Sequence, residues 1–154
     1  MPANDGVRSA GNWRTGGLFL LTGAAAVVAG GLLAAVTASA PTEHAVWASA
    51  YLVLVAGVCQ IVVGGVTALL ADRFGGVLAA AWIVFTSANA AVIGGTVTET
   101  TPVLWVGALL LLASLVLLLV AVRGVRGGVL LWGYRAVLIV LAVSTPIGLL
   151  LERR

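Results

Sequence analysis

The chain contains no lysine, one histidine (His44) and one cysteine (Cys59), and only 8% of its 154 residues are charged. Without lysine there is no Schiff base for a retinal-type chromophore and no phosphate-binding P-loop, whose lysine reaches the β- and γ-phosphates. A lone cysteine forms no disulfide within the chain, and its place inside an apolar run suits it to packing. One histidine excludes a bis-histidine haem within a single chain; one axial ligand, or a pair supplied by a dimer, remains chemically open. There is no H-E-x-x-H, no C-x-x-C and no pair of aspartates inside an apolar run, so the chain is read as non-catalytic. A serine nucleophile would need His44 as its base, but Ser87, Ser114 and Ser144 lie in other segments. The net charge of +3 comes from scattered arginines, which does not suggest a nucleic-acid partner.

What the chain has is apolar surface. Hydrophobic residues make up 62% of it, far from the composition of a water-soluble domain, of which about a quarter is charged. The fitting solvent is a lipid bilayer, and the expected class is an all-α polytopic bundle. A span needs about 20 mostly apolar residues. Five segments qualify, at 17–40, 45–71, 76–98, 102–122 and 129–151, preceded by a tail at 1–16; residues 17–154 form one transmembrane domain. Five tryptophans mark the same segments: Trp13, Trp47, Trp82, Trp105 and Trp132 each lie just before a segment or in its first two turns. Indole rings favour the membrane–water interface, and Arg135 beside Trp132 extends that anchoring.

Between residues 17 and 151, six of the seven charged residues lie in the linkers. "ADRFGG" and "RGVRGG" are basic, whereas "APTEH" and "TETTP" carry acid and no arginine. Arginine bias therefore places the N-terminus in the cytoplasm of a plasma membrane, with the acidic loops outside. The fifth segment is the weakest. Its apolar part, 136–151, is 16 residues or about 24 Å long, "STP" is expected to break it, and "ERR" follows. Spanning is favoured over re-entry. The "AVTASA" stretch has signal-peptide spacing, but the long apolar run and Pro41 favour a retained first span.

"TGAAAVVAGG" (22–31) aligns with "TSANAAVIGG" (86–95) at six of ten positions. Both stretches lie in segments running the same way, which suggests two tandem helical hairpins in a parallel repeat, with a fifth helix appended. Small residues four apart, Ala26, Gly30 and Ala34, are expected to let helices approach. The arginine-only, Ala/Val/Gly-heavy composition suggests a high-GC bacterial source, and in size the chain is similar to small multidrug transporters, although it lacks their buried glutamate.

No ionisable group lies near the middle of the first four segments, which speaks against proton-coupled transport. The polar groups at depth are amides. Gln60 shares a face with Gly57, Gly64 and Thr67; Asn89 shares one with Thr86, Ile93 and Thr96. Counted from the outer ends their depths differ by roughly 9 Å, so a direct bond would need staggered or tilted helices. Interhelical hydrogen bonding is their simplest use; lining a path for a small neutral solute, or contacting a lipid, quinone or partner subunit, are alternatives. At the outer rim Glu43, His44 and Glu99 supply metal-ligating atom types, but adjacent helical residues diverge by about 100°, and a solvated helix cap is the simpler reading. No cofactor is indicated. The expected partners are the bilayer itself and other membrane subunits or a second copy.

Overall fold

In the computed structural model, residues 3–70, 75–125 and 128–151 are described, with side chains described over 14–70, 76–125 and 128–143. The described residues are all helix and short turn, with no strand among them. Five helices follow in order: α1 (Ala3–Thr37), α2 (Glu43–Leu70), α3 (Gly75–Val97), α4 (Thr101–Ala121) and α5 (Val129–Leu151). Four of them contain stretches long and apolar enough to cross a membrane: Arg14–Thr37, Glu43–Leu70, Gly76–Val97 and Thr101–Ala121. In α5 the described apolar stretch, Val129–Val143, is shorter.

Two differences from the sequence expectation concern helix length. The first helix starts at Ala3, so the tail at 1–16 and the first span are largely one rod of 35 residues, about 52 Å long. The hydrocarbon core of a bilayer is only about 30 Å thick. In α5 the helix runs through Ser144, Thr145 and Pro146 to Leu151 rather than breaking at "STP". Proline removes one donor, but within an apolar helix the loss of a single ladder bond leaves the rest of the ladder intact.

The helices pair in sequence order as two antiparallel hairpins, α1 with α2 and α3 with α4. The first turn opens at Thr42, whose hydroxyl caps α2 by accepting from the Ala45 N–H at 3.2 Å. The second turn is tighter. The Thr100 N–H donates to Gly95 O at 2.8 Å and the Glu99 N–H to Thr96 O at 3.3 Å, a Schellman closure with Glu99 in the left-handed position at φ 53°.

In lipid, burying a leucine against another leucine gains little transfer energy, so close packing decides which helix faces meet. Along α1 the packed face is Gly16, Gly23 and Gly30, seven residues apart. A Cβ on Gly16 would stand 2.7 Å from the Ala68 Cβ, one on Gly23 2.9 Å from Gly57 O, and one on Gly30 2.9 Å from Ser49 O. Of the expected set Ala26, Gly30 and Ala34, only Gly30 is buried; Ala34 is exposed. The α3–α4 hairpin closes the same way, with Gly107 against Val92 N and Gly95 against Leu104 N. The main core then fills between hairpins and α5 with Phe19, Val63, Leu78, Phe85, Leu115, Leu118, Leu131 and Leu138.

One stretch departs from α geometry. Within α2, Leu52–Cys59 is π-helical, wider by one residue per turn, and it ends at Gln60.

Candidate functional site: a buried polar cluster between three helices

Gln60 is 2% exposed, at the first residue after the π-helical stretch. Its neighbours on the expected face, Gly57, Gly64 and Thr67, are buried with it. Its side-chain nitrogen donates to Thr22 Oγ1 on α1 at 2.5 Å and faces Thr86 Oγ1 on α3 at 3.4 Å. Trp82, one turn before Thr86, donates its indole N–H to the same Thr22 oxygen at 3.2 Å. Thr22 in turn donates to Leu18 O at 2.7 Å. Four side chains from α1, α2 and α3 therefore meet at one point. Phe19 and Phe85 sit beside it, with ring centroids 6.4 Å apart.

Asn89 does not join Gln60. It is 4% exposed, and its side-chain nitrogen donates to Phe85 O, four residues back on its own helix, at 2.8 Å. Its Oδ1 is buried without a hydrogen-bond partner, as is the Tyr51 hydroxyl on α2. Thr96 likewise turns to its own helix, donating to Val92 O at 2.9 Å. Ser114 does the same with Leu111 O at 2.6 Å.

A second interhelical bond ties α5 to the bundle near the arginine-bearing end. Thr67 donates to Val63 O at 2.6 Å, so its oxygen is left to accept, and the Tyr134 hydroxyl 2.5 Å away is the donor. Both residues are buried.

The tryptophans divide. Trp132 is largely exposed, with the Arg135 guanidinium 5.6 Å from its ring centroid, a cation–π pair. Trp47 is exposed on one side and stacks on Tyr51 at 5.0 Å. Trp105 is half-buried. Trp82 departs from the interfacial role expected of it, because its polar edge is used inside the protein by Thr22. The Trp13 side chain lies outside the described residues.

At the acidic end Glu43, His44 and Glu99 are all exposed. Among the described residues no three His, Cys, Asp or Glu side chains are gathered in a way that could hold a metal ion, so this trio is not brought together as a site. Glu43 instead occupies the first turn of α2, where the helix dipole favours a carboxylate.

Sequence reasoning found Gln60, Asn89 and Thr86 but missed Thr22 and Trp82. A signal for Thr22 existed: it aligns with Thr86 as the first residue of the two similar stretches, and both threonines turn out to flank Gln60. This chain matches no protein-family model, no curated protein and no solved structure.

Proposed function

We propose that this chain is a non-catalytic subunit of the plasma membrane that docks against another membrane-spanning helix, of a larger complex or of a second copy, through the outward face of α1. The observation that carries this reading is the state of that face. Gly17, Leu21, Ala24, Val28, Gly31 and Ala35 follow one another at spacings of four and three, and all are exposed. Nothing lies within 4 Å of where a Cβ would stand on Gly17 or Gly31. Alternating small and larger residues at this spacing form the seam along which transmembrane helices pack at left-handed crossings. The apolar stretch of α1 is also the least covered of the four spans, at 17% buried. The arginine bias of the linkers supports a cytoplasmic N-terminus, and the likeness of 22–31 to 86–95 supports a parallel repeat of two hairpins.

The test is native mass spectrometry of protein extracted gently from its own membrane, for wild type and Gly31→Leu. A mass above the bare chain that disappears in Gly31→Leu, with helical content unchanged, is the expected result. A bare monomer in both samples would remove the reading.

A second reading is a passive path for a small neutral solute lined by Gln60 and Asn89. The observation favouring it is the line of polar side chains on one face of α3, Trp82, Thr86, Asn89 and Thr96, of which Asn89 keeps a free acceptor. Solute flux into proteoliposomes that falls in Asn89→Leu without loss of folded protein would support it; unchanged flux would exclude it.

A further inference from the structure

We infer that Arg135 and Trp132, at the arginine-bearing end of α5, bind the phosphate of one anionic phospholipid of the surrounding membrane, with an acyl chain lying along the outward face of the same helix. The site belongs to α5 alone and stands whether or not anything docks along α1.

The contact between the two side chains carries the inference. The Arg135 guanidinium stands over the Trp132 ring, 5.6 Å from its centroid. Residues three apart on a helix are neighbours, and helical side chains lean toward the N-terminal end, so the guanidinium is carried back to the level of the ring. A cation over a ring is held by the π face and spends none of its five N–H donors on it. Among the described residues no carboxylate pairs with Arg135. The guanidinium is therefore oriented but not neutralised, and its planar fork matches two oxygens of a phosphate.

Charge at this end of the bundle selects an anion. Helices α1, α3 and α5 begin here, and α2 and α4 end here. This end carries six arginines against two aspartates, Asp5 and Asp72, whereas Glu43 and Glu99 stand at the other. An anionic headgroup is drawn to that surplus, while a zwitterionic one brings a cation into it.

The surface next to the pair fits a lipid better than a free ion. Trp132, Ala136, Ile139 and Val143 follow one another at spacings of four and three, and all are exposed, Trp132 at 67% and Ile139 at 56%. From Trp132 to Val143 the helix rises about 16 Å, which matches one leaflet of a hydrocarbon core about 30 Å thick. Ala136 notches this face just inside the indole ring, where an acyl chain can lie close to the helix. Free phosphate would use the guanidinium alone; a phospholipid uses the guanidinium and the face together.

The test is lipid retention by the full-length protein in native mass spectrometry, in detergent holding equal amounts of phosphatidylglycerol and phosphatidylcholine. One phosphatidylglycerol retained in preference to phosphatidylcholine is the expected result, with affinity lowered about fivefold in Arg135→Gln and helical content unchanged. Trp132→Leu alters an exposed residue and keeps the charge; it should weaken retention too, and it decides the matter if Arg135→Gln loses helical content. Arg14→Gln removes an exposed charge at the same end and should leave retention as in wild type. Equal retention of the two lipids by wild type overturns the site, and so does undiminished retention in Trp132→Leu or in a folded Arg135→Gln. A loss in Arg14→Gln as large as that in Arg135→Gln would mean diffuse attraction and would overturn it as well. Displacement of the lipid by excess inorganic phosphate would make the ligand a free ion, against the proposal. Docking along α1 is read from added polypeptide mass and this site from added lipid mass, so either can fail without the other.

Discussion

A threonine hydroxyl has one proton to give and two lone pairs, and at Thr22 all three are engaged, by Leu18 O, Gln60 and Trp82. Gln60→Leu removes one of these partners and the approach to Thr86, and is expected to lower stability by about 0.6–2 kcal/mol, the range for hydrogen bonds between membrane helices. Thr22→Val takes the acceptor away from two donors, the Gln60 amide and the Trp82 indole, and should cost at least as much. Reversible unfolding in mixed micelles measures both, and the double variant should cost less than the sum, since the two residues share one bond. Glu99 offers the opposite case. A side chain in the left-handed position of a Schellman turn is strained where glycine is not, so Glu99→Gly is expected to stabilise the α3–α4 hairpin by about 1 kcal/mol in the same assay. At this scale the sequence was partly legible. An amide inside an apolar run stands out, which is why Gln60 and Asn89 were visible. Trp82 was not, because an indole in the second turn of a span reads as an interfacial ring whether its N–H meets a headgroup or a threonine.

The glycines of α1 come as neighbours: Gly16 beside Gly17, Gly23 beside Ala24, Gly30 beside Gly31. The first of each pair faces α2 and the second faces outward, about 100° round the helix. In α3 the order reverses, with Gly95 packed against Leu104 and Gly94 open. A string of paired small residues shows that some face is close-packed but not which one, and this is why Ala34, which is exposed, was expected at an interface. The distinction is measurable. Gly107→Ala pushes a methyl toward Val92 N at 2.7 Å and Ala88 O at 3.1 Å, backbone atoms that cannot swing aside, and should cost about 1–3 kcal/mol. Gly94→Ala meets nothing and removes a helix-destabilising residue, so it should be neutral or stabilising by up to about 1 kcal/mol. Where described residues flank a helix end, at the starts of α2 and α5, the end of α3 and both ends of α4, it lies within two residues of the end of an apolar run, because those runs end at linkers that hold proline, glycine or charge. The start of α1 does not: residues 3–16 are too polar to read as span, and only the continuing backbone ladder shows them as part of the same helix.

Taken whole, the molecule is two tightly closed hairpins and a fifth helix held more lightly. The contact that singles out α5 is the Tyr134 hydroxyl on Thr67, backed by Leu131 and Leu138 in the core. Tyr134→Phe keeps the ring and loses the bond, so limited proteolysis of the linker before α5 should quicken by about threefold, for a bond worth ~0.6 kcal/mol. The hairpin pairing followed from the short linkers, whereas the three-helix meeting point did not, because it depends on how one hairpin is rotated against the other. The π-helical stretch Leu52–Cys59 sits where that rotation matters. A π turn holds one residue more than an α turn, so it accommodates an extra residue in a helix packed on both sides of it. Winding the same residues as an ordinary α-helix would turn the half bearing Ser49 and Tyr51 by about 100° against the half bearing Gln60 and Thr67. The two halves of α2 can thus be selected independently, one for what lies near the acidic loops and the other for the knot at Thr22, with the π turn absorbing the mismatch between them.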